Sequence, residues 1–267
     1  MLRDFHIHTT FSFDGRSTVE DHLKKAKELG IGELCFTEHF NPNGPSGLLN
    51  RRIPDRDGYF AAIDAGIKNH PECIVRRGVE LGLYDLPSCH MAKELLMGWD
   101  VDFILMGSHF NHAGRQYWIP EEWNGDSKQK VMEDAMENTL VFVENLENFD
   151  VVAHINFFSR ACPYADKEIR YSDAPDAIDT VLKAMVERGK GLEVNTSSYG
   201  KFGFFMPGDT IVKRYLELGG EVITIGSDAH SADALGSGIK EAREMLKQVG
   251  CRYYATFAER KPIFHTL

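Results

Sequence analysis

The chain has 267 residues, 43% of them hydrophobic and 26% charged, a balance that excludes disordered and fibrous classes and allows one large core without covalent staples. Its net charge of −10 argues against a broad nucleic-acid footprint, which needs a basic face against phosphates, and leaves room only for a local cationic pocket. Cys35, Cys73, Cys89, Cys162 and Cys251 are odd in number and never in C-x-x-C spacing, which fits reduced thiols better than a disulfide frame.

The first run, Asp4-Phe5-His6-Ile7-His8, reads as a strand in which positions i and i+2 share a face. His6 and His8 then point together, with Phe5 and Ile7 on the opposite face. The chain continues through Ser12-Phe13-Asp14-Gly15, and Ser17-Thr18-Val19-Glu20 is a capping box opening a helix over 22–29 with Gly30 as its stop. An apolar run at 33–37 stops at Glu38-His39. Residues 42–57, rich in Gly, Pro, Asn and Arg, form a lid candidate before a helix over about 58–69. The third run, 73–79, ends at Glu80 and precedes a helical pattern over 88–99; the fourth, 102–108, ends at His109. Cys35 and Cys73 sit inside these apolar runs and read as core residues.

The loop 111–126 carries Arg115, Tyr117, Trp118 and Trp123, side chains suited to shaping a substrate pocket, and leads into a long amphipathic helix over 127–148. Runs at 151–153, 191–194 and 221–226 end at His154, at Asn195 and at Ser227-Asp228-Ala229-His230. Helices over about 174–188, 209–218 and 240–249 separate or follow them. No repeat or linker divides the chain, so 1–267 is expected to be one domain. No apolar run approaches the ~20 residues of a membrane span and the start leads directly into a strand. A soluble, cytoplasmic protein without membrane or nucleic-acid partners is expected, its oligomeric state left open.

Short buried strands alternating with helices predict a parallel sheet, and about seven βα units in this length favour an α/β fold of closed or nearly closed barrel type. An open doubly wound sheet is the alternative. His6, His8, His39, Glu80, His109, His154, Asp228 and His230 all stand at C-terminal strand ends, which in a barrel form one rim. Six histidines with Asp14, Glu80 and Asp228 are more than one ion takes, since a catalytic zinc keeps three protein ligands and an open position. Two or three divalent ions are the natural reading, and zinc, manganese and iron all suit such donors. His22, His70, His90, His112 and His265 lie on helices, loops or the tail and read as structural.

Three divalent cations against three carboxylates leave an excess of positive charge, which favours an anionic phosphate. Bridging metals also generate hydroxide near neutral pH and polarise phosphoryl oxygens. H-E-x-x-H, G-x-S-x-G and G-x-x-x-x-G-K-[ST] are all missing from the sequence, so zincin, serine-hydrolase and P-loop readings lack their parts. Arg160, six residues past His154, offers either a fork for phosphate oxygens or a surface salt bridge.

The chain resembles the polymerase and histidinol phosphatase (PHP) family through His6-x-His8, Thr37-Glu38-His39, Glu80, His109, His154 and Gly226-Ser227-Asp228-Ala229-His230. The likeness to the stand-alone histidinol phosphatases extends through Ala153-His154-Ile155-Asn156, Arg160 and Pro163-Tyr164. This resemblance implies a distorted seven-stranded barrel with a trinuclear centre. His6, His8, Glu80 and Asp228 would hold one ion, Glu80 with His109 and His154 a second, and Asp14, His39 and His230 a third. Arg160 would bind the substrate phosphate. Where such relatives often carry a further arginine after the strand-six Asn, this chain has Ser197, with Lys201 the next cation. Glu38 stands where the family commonly has Asp.

The expected activity is metal-dependent hydrolysis of a phosphomonoester, L-histidinol phosphate in histidine biosynthesis, by attack of a metal-bound hydroxide. Arg160, Glu80 and Asp228 are its catalytic candidates, and Arg160, Ser197, Lys201, Tyr117 and Trp118 its substrate contacts. Another small phosphate ester or a nucleotide 3′ end is the first alternative, and a metal-binding regulatory subunit without turnover the second.

Overall fold

Seven parallel strands follow one another around a barrel in chain order. The computed structural model of the protein describes residues 1–47, 49, 51–111 and 114–267, so His112 lies outside the described residues. The order is β1 (Leu2–Ile7), α1 (Val19–Leu29), β2 (Ile31–Phe40), α2 (Arg56–Asn69), β3 (Ile74–Leu83), α3 (Leu86–Leu95), β4 (Phe103–Ser108), α4 (Lys128–Asn145) and the two-residue β5 (Val151–Val152). There follow α5 (Pro175–Glu187), β6 (Gly191–Asn195), α6 (Tyr199–Phe202), α7 (Asp209–Glu217), β7 (Ile223–Gly226), α8 (Ile239–Gln248), β8 (Tyr253–Ala258) and β9 (Lys261–Thr266). Between β7 and β1 closure narrows to an isolated bridge, Ile7 to Ala229, with the His8 amide donating to the Ala229 carbonyl at 2.9 Å.

Local chemistry explains the helix boundaries. Thr18, one residue after the expected Ser17, is the N-cap of α1: its hydroxyl accepts from the Asp21 amide, and the Asp21 side chain returns to the Thr18 amide. Gly30 ends the helix at φ 69°, a left-handed conformation in which a side chain is disfavoured. Ser127 caps α4 by accepting from the Lys130 amide. None of the described helices is long and apolar enough to cross a membrane.

One element departs from simple alternation. Phe5 packs inside the barrel with Phe103, Leu105 and Phe257, whereas Ile7 packs with Val19, Leu23 and Ile63 under α1 and α2. The expectation that Phe5 and Ile7 share a face is therefore corrected. The β1–β2 register shifts between Asp4 and Ile7, and such a slip re-aims successive side chains. Cys73 is also only half-buried, while Cys35 is fully buried.

Sequence periodicity did not reveal the C-terminal hairpin of β8 and β9. Its two-residue turn, Glu259-Arg260, takes φ 50° and 66° without the Gly or Asn that usually marks such turns. Tertiary contacts hold it instead. Arg260 forks onto Asp150 at 2.7 and 3.0 Å, and the Glu259 amide donates to Asp102 at 2.9 Å. Phe257 then sits 4.8 Å from Phe103, ring centre to ring centre, in the barrel interior.

Candidate active site

The barrel rim gathers the expected donors into three adjoining clusters. In the first, His6 Nε2 and His8 Nε2 are 3.0 Å apart. Glu80 Oε2 lies 3.5 Å from each, and Asp228 Oδ1 lies 3.6 and 3.3 Å from them. The other Glu80 oxygen faces the second cluster, 2.8 Å from His154 Nε2 and 3.5 Å from His109 Nε2. In the third, Asp14 sits 3.4 Å from His39 Nε2 and 3.3 Å from His230 Nε2. Glu80 thus has one oxygen in each of two clusters. Asp14 reaches the third because the loop after β1 folds back, the Arg16 amide donating to the His230 carbonyl at 2.8 Å.

Hydrogen bonds on the far side of each ring decide which nitrogen is bare. Glu38 accepts from the Thr9 hydroxyl at 2.7 Å and the Ser12 hydroxyl at 2.6 Å. The Ser12 oxygen, its proton so committed, lies 3.1 Å from His8 Nδ1 and accepts there. His230 Nδ1 donates to the Asp228 carbonyl at 2.9 Å. His8 and His230 therefore turn bare Nε2 atoms inward. Glu38 serves as the anchor of this loop.

The donor set fits divalent cations. Two imidazole nitrogens and two carboxylate oxygens crowd one buried space, and Glu80 Oε2 and His39 Nδ1, 2.8 Å apart, are buried without a properly directed hydrogen bond. Unpaired buried polar atoms are costly unless something else satisfies them. The electrostatics agree. Burial pushes Glu80 and Asp228 upward, but the imidazoles around them, His39 and His6 foremost, hold both well below the usual carboxylate range. Burial pushes His39 down, yet Glu80 and Asp14 raise it to about 10. The field at His39 thus draws cations, whereas burial pushes His8 and His109 down, toward the neutral form that can ligate a metal. His154 and Asp228 also take positive φ, 26° and 54°, a strain of about 1–3 kcal/mol each that persists where surroundings impose it.

A cavity of about 250 Å³ opens over the clusters, with Phe13, Phe110, Trp118 and Phe157 as its aromatic wall and Arg160 beside them. Phe13 is 60% exposed at the mouth and stacks on His39 at 5.0 Å. The Arg160 guanidinium lies 3.9 Å over the Phe157 ring and pairs with no carboxylate among the described residues.

The remaining expected contacts fall elsewhere. Tyr117 is fully buried off this wall, its hydroxyl donating to Asp134 at 2.8 Å. Ser197 donates to Asn195 at 2.7 Å, and Lys201 sits over the Phe202 ring at 5.0 Å. Neither lines the cavity among the described residues. No described residue of the lid candidate 42–57 lines the cavity, though Asn41 just before it does, and Leu48 and Asn50 lie outside the described residues. Of the histidines read as structural, His22 reaches the His8 carbonyl, His70 pairs with Glu20, and His265 bonds Thr256. Sequence reasoning missed Glu193, whose carboxylate lies 2.6 Å from His6 Nδ1. Its one signal is a charged residue inside the buried strand Gly191–Asn195.

The PHP domain family matches residues 4–197. A probable histidinol-phosphatase of Clostridium acetobutylicum is 31% identical over 98% of both chains. The histidinol-phosphatase of Lactococcus lactis subsp. lactis is 26% identical, over 97% of this chain and 95% of that protein. A crystal structure of Lactococcus lactis histidinol phosphate phosphatase, in complex with zinc, L-histidinol and phosphate, has TM-score 0.83 at 25% identity and 98% coverage of both chains. By the extent of the family match and of the 31% identity, this chain belongs to the PHP domain family.

Proposed function

We propose that the protein is a metal-dependent phosphomonoesterase that hydrolyses L-histidinol phosphate to L-histidinol and phosphate, a step of histidine biosynthesis. The observation that carries this reading is Arg160, a guanidinium without a carboxylate partner among the described residues, on the wall of the cavity that Glu80, His154, Asp228 and His230 also line. Such a fork matches phosphate oxygens, and its charge opposes the negative charge that develops on them in the transition state.

His6, His8, Glu80 and Asp228 would hold one divalent ion, Glu80 with His109 and His154 a second, and Asp14 with His39 and His230 a third. Bound there, such ions supply an activated water and polarise the phosphoryl group. Imidazole and carboxylate donors suit zinc, manganese and iron, and the zinc in the Lactococcus relative supports zinc. Trp118, Phe110 and Phe157 offer flat apolar surface to the organic part of the ester and exclude water. A cavity of about 250 Å³ lies below the roughly 300–1,000 Å³ typical of drug-sized ligand sites, which favours a small ester over a nucleic-acid end.

The whole chain is read as one domain. The family match stops at residue 197, but Asp228 and His230 lie beyond it, and Ala229 bridges to Ile7 of β1. The test is turnover of L-histidinol phosphate against other sugar and nucleotide monophosphates by metal-analysed protein. Preferential turnover of L-histidinol phosphate is expected. Equal or lower turnover of it would reassign the substrate, and no ester hydrolysis with zinc, manganese or iron would end the reading.

A further inference from the structure

Glu193 is 1% exposed, and each of its oxygens is committed. Oε1 lies 2.6 Å from His6 Nδ1. Oε2 accepts the His154 backbone N–H at 2.9 Å and Asn195 Nδ2 at 3.2 Å. One buried carboxylate on β6 thereby ties a side chain on β1 to the backbone just past β5. Burying a carboxylate costs several kcal/mol unless its partners compensate, so its place inside an apolar strand calls for a purpose.

The neighbouring strand is shaped to permit the reach. A Cβ on Gly226 of β7 would stand 2.7 Å from Glu193 Oε1 and 2.2 Å from the His6 Cβ. The space between β6 and β1 exists because β7 has no side chain there. Glu193 does not line the cavity; it touches the far edge of the His6 ring.

We propose that Glu193 is a positioning residue for the metal centre. Its carboxylate can only accept, so the His6 proton stays on Nδ1 and the bare Nε2 points at His8, Glu80 and Asp228. Its second oxygen holds the His154 amide, and with it the left-handed backbone that aims that ring at Glu80. Carboxylate partners of this kind orient ligating histidines and raise their basicity. The inference rests on the reading of the rim as a metal site.

Glutamine separates this role from simple space-filling. Its amide oxygen satisfies the His154 N–H, which leaves its NH₂ facing His6 Nδ1. His6 must then accept at Nδ1 and carry its proton on Nε2, where an ion would bind. Zinc affinity is read by chelator competition on full-length wild-type protein and Glu193→Gln, with circular dichroism and melting temperature recorded on both. One zinc equivalent is expected to weaken by about 10- to 100-fold, with the remaining zinc and the circular dichroism unchanged. Wild-type zinc affinities retained in Glu193→Gln would overturn the proposal. Should that variant fail to fold, ¹⁵N-histidine NMR of zinc-loaded wild type decides: a protonated His6 Nδ1 with zinc on Nε2 supports the role, and zinc on Nδ1 overturns it. Neither readout uses turnover, so a failure here and a failure of the phosphatase reading remain distinguishable.

Discussion

Gly226 and His6 are packed so closely that a Cβ on the glycine would stand 2.2 Å from the His6 Cβ and 3.0 Å from its backbone nitrogen. Because the obstacle includes backbone, no side-chain rotation relieves it. Gly226→Ala is expected to cost about 1–3 kcal/mol through overpacking, a fall of roughly 2–4 °C in melting temperature per kcal/mol at this size. It should also displace His6, and misplacement by an ångström can cost about 100-fold in rate. Thermal melts and kcat/KM on one preparation check both; a variant with unchanged activity would show that His6 placement does not depend on this contact.

Glu80→Gln and Asp228→Asn probe the donors themselves. Each keeps the side-chain shape, so the fold should be retained, but the metal-free protein should lose stability because a buried charge that faces imidazoles is removed. Each removes negative charge from a cluster, and Glu80 serves two clusters at once. Losing about 4 kcal/mol of transition-state stabilisation corresponds to roughly 1,000-fold in rate. Metal content by elemental analysis should fall further in Glu80→Gln than in Asp228→Asn. The reverse order would show that Glu80 does not join the two clusters.

The gathering of His6, His8, His39, Glu80, His109, His154, Asp228 and His230 is legible in the sequence because barrel topology sends every C-terminal strand end to one rim. Reading Phe5 and Ile7 as one face fails because alternation assumes an unbroken register, and β1 slips against β2 between Asp4 and Ile7. Glu193 escapes for a different reason: it follows no metal-ligand spacing and acts through partners 187 and 39 residues away. Tyr117 and Trp118 carry the same aromatic signal, yet Tyr117 turns inward to Asp134 while Trp118 lines the cavity. Adjacent residues in a loop lack the periodicity that would tell inside from outside.

Away from the rim, Arg214 of α7 forks onto Asp179 of α5 at 2.7 and 2.6 Å and holds that carboxyl below the usual range. Because the folded state binds this proton less readily than the unfolded chain, the contribution is complete above the unfolded pKa of about 3.9 and is lost as pH falls through the folded value. Asp179→Asn should cost about 1 kcal/mol near neutral pH, a bidentate but partly exposed pair. The gap between variant and wild type in urea unfolding should close as pH drops below about 4. A gap independent of pH would assign the cost to packing.

Arg160→Ala separates substrate binding from metal binding. The guanidinium lies over Phe157 and is paired with no carboxylate among the described residues, so its removal strands no buried partner charge and should cost about 1 kcal/mol or less of stability from the lost ring contact. Charge-assisted hydrogen bonds to a phosphate are worth about 1.5–3 kcal/mol, equivalent to roughly 10- to 150-fold in kcat/KM. Metal content should be unchanged, because none of the three clusters uses Arg160 as a donor. Inorganic phosphate should also inhibit the variant more weakly than the wild type, since it lacks the organic group that the aromatic wall would contact. Loss of metal on Arg160→Ala would mean that this arginine stabilises the donor clusters, and the phosphate role would then pass to another group on the cavity wall.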